Sequence, residues 1–583
     1  MDSHPGLPCR PKQHYIGVDV GTGSARALII DEDGKSVASA FKDIDQWQPQ
    51  PGIYEQSVSQ IWGSVCHAVK EALLRGGVQP ESVRSIAFVA TCSLALFTHD
   101  TNEPVAASGS ESAERDHNII LWMDQRAKAE AKAINKTQHE LLKYFGGSIS
   151  VLMELPKILW LKHHMPEGEF QRCKFYDLND ALTYVATGNH VFPCTEMCNR
   201  DTLHIGVDGT AKGWSREFLE AVQLEILADE DFKRVGGVCR HGRAPPAGTL
   251  AGHLSERSAR DLGLKREVAV AVGTIDSYSG WVGTAGLRFD GQQKFPLHSR
   301  MAVVAGTSAC YIVASRKPVF AKGIWGPYQD WVLPGYWISE GGQVATGMLL
   351  QHVIEVHPAY GAASKLANIS DLNIYDYLDR HLEHMRSKSG APDVSYLGRN
   401  YFYYGDLWGN RSPIADPSMT GSVVGLTGDK SIDNLAIQYY GVLEFIALQI
   451  RHTISIMNEA GTEVNSFFIS GSVANNANLM RLIATSCNMP VIKPRQAGAA
   501  VCFGAAILAA TAITKGPTGG TGALWSVMQN LSQQGEIQQP EKNTLLKDLL
   551  DVKYIIYLEQ CERQRVFRDM VEKAISSHTD HLA

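Results

Sequence analysis

The stretch Tyr15-Ile16-Gly17-Val18-Asp19-Val20-Gly21-Thr22-Gly23-Ser24-Ala25-Arg26 decides how the rest of the chain is read. Its first residues have the character of a short buried strand, with Asp19 at the end. Val20–Ser24 is a turn of small residues, and Ala27–Ile30 is a return strand closed by Asp31-Glu32-Asp33-Gly34. Without Cβ atoms in the way, the backbone N–H groups of Gly21 to Gly23 can converge on an anionic phosphate, while Asp19 holds a hydrated Mg²⁺ beside it. An ordinary hairpin would share these letters. The chain contains no G-x-x-x-x-G-K-[ST], and no G-x-G-x-x-G opens a helix here, so a phosphate site at this point is of the hairpin type.

At 583 residues the chain is too long for one core, and two large α/β domains are expected. An apolar fraction of 44% and a charged fraction of 20% are those of a soluble globular protein. The net charge of −7, without a basic stripe, argues against nucleic acid and anionic membranes as partners. Residues 1–14 are polar and proline-rich and read as a flexible N-terminus without a secretion signal. The longest apolar run, Gly498–Ile513, is rich in Gly and Ala and shorter than the ~20 residues of a membrane span, so it reads as a tightly packed buried helix. Eleven scattered cysteines point to reduced thiols and a cytoplasmic setting. Cys194 and Cys198 lack partners for a zinc set and are read as structural.

Further along, Ser57–Leu74 has helical periodicity and Ser85–Ala90 is a buried strand running into Thr91-Cys92-Ser93-Leu94. Ile119–Arg126 begins as a strand and passes into a helix over Ala127–Tyr144. Val268–Val272 is a strand leading to Gly273-Thr274-Ile275-Asp276, again an acid at a strand end. Met301–Ala305, the turn Gly306-Thr307-Ser308 and Cys310–Ala314 then repeat the opening pattern. We place a linker near Leu287–His298, giving domains over 15–290 and 291–583. Tyr336–Glu340 is a strand, with Gly341-Gly342-Gln343 opening a helix. Leu435–Asn458 is a long amphipathic helix, Thr514–Gly522 a flexible loop and Leu545–Ile575 a closing helix or helix pair. Two domains, each with a strand–turn–strand phosphate candidate, suggest a clamp around a nucleotide.

These pieces, in this order, resemble the FGGY family of carbohydrate kinases. Asp19–Arg26 resembles the family's first phosphate hairpin, Gly273-x-x-Asp276 with Gly280 and Gly283 its catalytic-acid segment, and Gly306-Thr307-Ser308 its second phosphate turn. Gly471–Asn476 with Gly498–Ala506 resembles its adenosine-binding element. One departure is Ser470-Gly471-Ser472, where many relatives carry a glycine pair; the serines leave less room for close backbone approach. Trp122-Met123-Asp124-x-Arg126-Ala127, Thr91–Leu94 and Glu340-x-Gly342-Gln343-x-x-x-Gly347 resemble the ribulokinase branch.

The resemblance implies two ribonuclease H-like domains flanking a central cleft, with ATP as phosphate donor and Mg²⁺ as its metal. Asp276 is expected as general base and, with Asp19, as metal-facing acid. Gly21, Thr22, Gly23, Ser24, Arg26, Gly306, Thr307, Ser308, Gly471, Ser472 and Asn475 are expected around the nucleotide; Arg26 fits a structural ion pair equally well. Thr91, Cys92, Trp122, Asp124, Asp276 and Glu340 are expected around the sugar. The substrate implied is a pentulose, D-ribulose first, with L-ribulose, xylulose or ribitol as alternatives. A non-catalytic actin-like ATP switch is the alternative from another class. A homodimer is compatible with the resemblance.

Overall fold

The computed structural model describes residues 12–108, 116–189, 203–205, 211–237, 245–514, 523–542 and 544–579. Residues 1–11, Cys194, Cys198 and the part of the Thr514–Gly522 loop after Thr514 lie outside them.

Strands β1 (His14–Val20), β2 (Ser24–Asp31) and β3 (Ser36–Asp43) form an antiparallel meander. Helix α1 (Val58–Gly76) follows, capped by the Ser57 hydroxyl, which accepts the Gln60 N–H at 3.3 Å. Its buried face, Ile61, Val65, Val69 and Leu73 among others, carries the chain back to β4 (Val83–Ala90), which lies parallel to β1. Strand β5 (Ala269–Ala271) is parallel to β4 on its other side.

The second sheet repeats this plan. Strands β6 (Arg300–Ala305) and β7 (Ala309–Ser315) are the equivalent hairpin. β8 (Trp325–Gln329) and β9 (Trp337–Gln343) extend it antiparallel. Helix α3 (Gly347–Val356) follows β9, and α4 (Ile432–Glu459) leads to β10 (Ser466–Ser470), parallel to β6. Helix α5 (Ala477–Cys487) leads to β11 (Val491–Lys493), parallel to β10. The order antiparallel, antiparallel, parallel, parallel occurs in both sheets, so the weak repeat of Ile16–Ile30 in Met301–Ala314 is a repeat of topology.

Two helices join the halves. α2 (Asp276–Ala285) and α6 (Ala500–Ala512) pack closely on one another, and α6 lies against β1 and β4 although it comes from the far end of the chain. Glycines allow the approach. A Cβ on Gly504 would sit 1.8 Å from the Ser279 carbonyl oxygen, and one on Gly283 would sit 2.1 Å from that of Ala500. The glycine- and alanine-rich run is thus a buried helix, as its composition indicates. The closing segment is one helix, α7 (Thr544–Thr579). It is anchored on α4 by the buried Lys553–Glu444 ion pair, and its Tyr557 ring stacks 5.4 Å from that of Tyr404, in the strand Phe402–Gly405.

Three local expectations change. The helix expected over Ala127–Tyr144 is broken: Lys128–Lys136 is helical, Gln138 has φ 49°, and Glu140–Phe145 is a separate short helical turn. Gly341-Gly342-Gln343 does not open a helix. These residues stay in β9, paired with Tyr311, Cys310 and Ala309, because β7 offers a full ladder to pair with. Asp276 is the first residue of α2 rather than the end of a strand.

Candidate active site

Register places three candidate residues side by side. Asp19 pairs with Val89 and Val20 with Ala90 across β1 and β4, and Ile275 bridges Ala90 from the other side. The Thr91 N–H donates to the Val20 carbonyl at 3.0 Å. Asp19, Thr91 and Asp276 therefore stand at the carboxyl ends of adjacent parallel segments, where α/β proteins expose their ligand crevices. The Asp276 carboxylate accepts the Ser277 N–H at 2.6 Å. An acid in the first turn of a helix is favoured by the helix dipole.

Asp19 is 4% exposed, with Arg26 Nη1 3.5 Å from its Oδ2. Burial pushes its carboxyl up to about 6, and Arg26 pulls the other way. Its Oδ1 is buried without a hydrogen-bond partner. A buried carboxylate oxygen in that condition suits a cation. Among the described residues no three His, Cys, Asp or Glu side chains form a metal cage. Mg²⁺ takes one or two carboxylates and draws its other ligands from water and phosphate.

Both small-residue turns are closed by their first glycine. The Gly21 N–H donates to Ser24 O at 3.0 Å and the Gly306 N–H to Ser308 O at 2.9 Å, so neither amide is offered to a phosphate. This corrects the expectation that Gly21 itself donates. The amides of Thr22, Gly23, Thr307 and Ser308 donate to no acceptor among the described residues. A Cβ on Gly23 or Gly306 would meet no atom within 4 Å, so each turn has open space in front of it. Gly471 lies beside the second turn at φ 91°, and a Cβ there would come within 2.1 Å of Ala305 O. Ser470 is fully buried in β10, with Ser472 and Asn475 exposed. The close approach is made by Gly471 alone, and the Ser470 side chain does not narrow the open side.

On the sugar side, Trp122 is partly buried, and its Nε1 donates to the Thr22 hydroxyl at 3.0 Å. Thr91 is buried, its hydroxyl 3.1 Å from that of Ser93, and Cys92 is partly exposed. Asp124, expected to accept from sugar hydroxyls, is 0% exposed and already saturated. Its Oδ1 accepts the Arg126 N–H and Nε at 2.9 Å each, and its Oδ2 accepts the Tyr54 N–H at 2.7 Å and Arg126 Nη2 at 2.9 Å. Four donors use the four lone-pair directions of a carboxylate. Asp124 is scaffold, holding Arg126, which also binds Glu55 at 2.9 Å.

Lys157 is missed by sequence reasoning. It is 0% exposed, and its Nζ donates to the carbonyls of Leu121, Trp122 and Leu152 at 2.8, 3.2 and 3.1 Å. Nothing in the helical spacing of Glu154–His164 marks this lysine as the one turned inward under Trp122.

Glu340, in β9, is 2% exposed and ion-paired with Arg411, a second residue the sequence leaves unmarked. Arg411 Nη1 also points to Cys310 Sγ at 3.4 Å. Burial pushes the Cys310 thiol up to about 11; Arg411 opposes this, and the carboxylates of Glu340 and Asp276 add to it. Cys310 therefore lies within electrostatic reach of acids from both halves of the chain.

The N-terminal domain of the FGGY family of carbohydrate kinases matches residues 14–283, and its C-terminal domain residues 301–513. The D-ribulokinase of Saccharomyces cerevisiae is 43% identical over 513 residues, covering 85% of this chain and 72% of that protein. The human FGGY carbohydrate kinase domain-containing protein is 34% identical over 564 residues, covering 96% of this chain and 98% of its own. Among solved structures, the gluconate kinase of Lactobacillus acidophilus superposes with a TM-score of 0.71 at 18% identity, covering 95% of this chain and 98% of that one. At that identity the likeness is one of fold.

Proposed function

The chain belongs to the FGGY family of carbohydrate kinases, and from that premise we propose that it phosphorylates a pentulose with ATP, converting D-ribulose to D-ribulose 5-phosphate. The observation that carries the choice of sugar is the 43% identity to a D-ribulokinase over most of this chain.

Phosphoryl transfer needs in-line positioning, neutralisation of phosphate charge and an acceptor for the hydroxyl proton. Asp276 is the proposed acceptor: it takes the proton of the primary hydroxyl as that oxygen bonds to the γ-phosphorus and the bond to ADP breaks. Thr22 and Gly23 from one half, with Thr307 and Ser308 from the other, offer amides to phosphate oxygens; donors fixed in advance stabilise developing charge without reorganising. Asp19 is the proposed holder of Mg²⁺, which supplies charge neutralisation when bound. Gly471, Ser472 and Asn475 are assigned to the adenosine end. Trp122, Thr91, Cys92 and Glu340 are assigned to the sugar, with Trp122 covering a C–H face and Glu340 accepting from hydroxyls. Closure of the two halves on the sugar would keep water from the γ-phosphate.

The test is a coupled ADP-release assay with D-ribulose, L-ribulose, ribitol, D-xylulose and glycerol. D-ribulose is expected to have the highest kcat/KM, with ribitol and L-ribulose following and glycerol nearly inert. A site built to bond a hydroxyl rejects a substrate lacking it strongly. Higher kcat/KM with glycerol or D-xylulose would overturn the choice of sugar. ATP turnover without a phosphorylated sugar would overturn the carbohydrate kinase reading itself.

A further inference from the structure

Arg411 sits in a slot built for a flat cation. Its guanidinium carbon lies 4.0 Å from the centroid of the Trp325 ring. β9 carries Gly342 beside it, where a Cβ would fall 3.1 Å from Arg411 Nη1. Trp325 and Glu340 are register partners across β8 and β9, and Gly342 pairs with Cys310 across β9 and β7. The stacking ring, the missing side chain, the carboxylate and the thiol thus all come from three neighbouring strands.

The backbone on either side of Arg411 is pinned. Asn410 donates from Nδ2 to Asp406 Oδ2 at 2.7 Å, and the Ser412 hydroxyl donates to Gly323 O at 2.8 Å. Asp406 in turn accepts from Tyr404 at 2.6 Å and from Gln449, on α4, at 2.8 Å. The Arg411 side chain is 13% exposed and the Glu340 side chain 2%. A carboxylate so buried is costly to leave charged without a partner, and Arg411 supplies one.

We propose that Arg411 is a positioning residue that holds the Glu340 carboxylate in place for the sugar, and so sets ketose affinity without touching ATP. This rests on the reading that Glu340 meets the sugar. A lysine at 411 would keep the charge but lose the planar fork and the stack on Trp325.

The experiment is a double-mutant cycle on the full chain, reading KM for D-ribulose, KM for ATP and kcat. Arg411→Lys should raise the D-ribulose KM about tenfold or more and leave the ATP KM within about twofold. Glu340→Gln should raise the D-ribulose KM at least as much. The double variant should then be no worse than Glu340→Gln alone, within about twofold, because Arg411 acts only through Glu340. Equal losses for ATP and ketose, or additive effects in the cycle, would overturn the role of Arg411. Glu340→Gln without effect on the D-ribulose KM would overturn the sugar-side reading of Glu340 together with the proposal. Arg411→Ala supplies a second route, with thermal melting to verify its fold. Millimolar guanidinium should bring its D-ribulose KM back toward wild type, and no response in the folded variant would count against the proposal.

Discussion

Trp122 and Thr22, 100 residues apart in sequence, are joined by a 3.0 Å hydrogen bond from the indole Nε1 to the threonine hydroxyl. The bond ties the segment assigned to the sugar to the turn assigned to the phosphate. A second tie runs through Gln46 and Gln56, whose side-chain amides both donate to the Thr22 carbonyl at 2.8 Å. The turn is therefore held from outside its own hairpin.

Trp122→Phe keeps an aromatic face and removes the donor. A net hydrogen bond is worth about 0.5–1.5 kcal/mol, so kcat/KM for the ketose should fall roughly two- to tenfold. Thr22→Val should cost a similar amount, and the two together little more than either. Steady-state kinetics on the three variants would show this; full additivity would mean that the bond does not couple the two segments.

Asp276→Asn retains an oxygen that can accept the Ser277 N–H. The fold and ATP binding should survive, while kcat falls by roughly two to four powers of ten, the usual worth of a general base. Near-wild-type kcat at saturating sugar would remove Asp276 from the mechanism.

Asp19 gives a pH signature in metal-free buffer. Its carboxyl is pushed up to about 6 from an ordinary 3.8 by burial. Between those values the folded protein holds a proton that the unfolded chain has lost. Stability therefore falls as pH rises through that window and levels off above about 6, by at most about 3 kcal/mol. In Asp19→Asn this component is absent. Melting temperatures of the two proteins measured from pH 4 to 7 should diverge in favour of the variant; parallel curves would refute the assignment.

Gly504 and Gly23 should respond oppositely. Gly504→Ala places a methyl group 1.8 Å from the Ser279 carbonyl oxygen, at the contact of α2 and α6. Overpacking of this kind costs about 1–3 kcal/mol, and the melting temperature should drop. Gly23→Ala meets nothing within 4 Å, so stability should hold. ATP affinity, measured by calorimetric titration, should weaken by about tenfold, equivalent to about 1.4 kcal/mol. The reverse pattern would move the phosphate site away from the hairpin.

Much of this architecture was legible along the chain, because local alternation and turn residues report directly on backbone pairing. Asp19-Val20-Gly21-Thr22-Gly23 and Gly306-Thr307-Ser308 announce two hairpins, and each lies where its letters indicate. The composition of Gly498–Ile513 announces a close-packed helix, since only small side chains let backbones approach so nearly. What it packs against was not legible: α6 lies on β1 and β4, more than 400 residues away in sequence. Nor could sequence distinguish the carboxylates. Asp124 and Glu340 are both acids among apolar neighbours. Only the fold shows that Arg126 and Tyr54 saturate the first, and that the second is paired with Arg411 from a distant loop. A residue's type sets which bonds it can make. Which bonds remain for a ligand depends on the partners that tertiary packing brings within about 3 Å, and those partners carry no mark in the neighbouring letters.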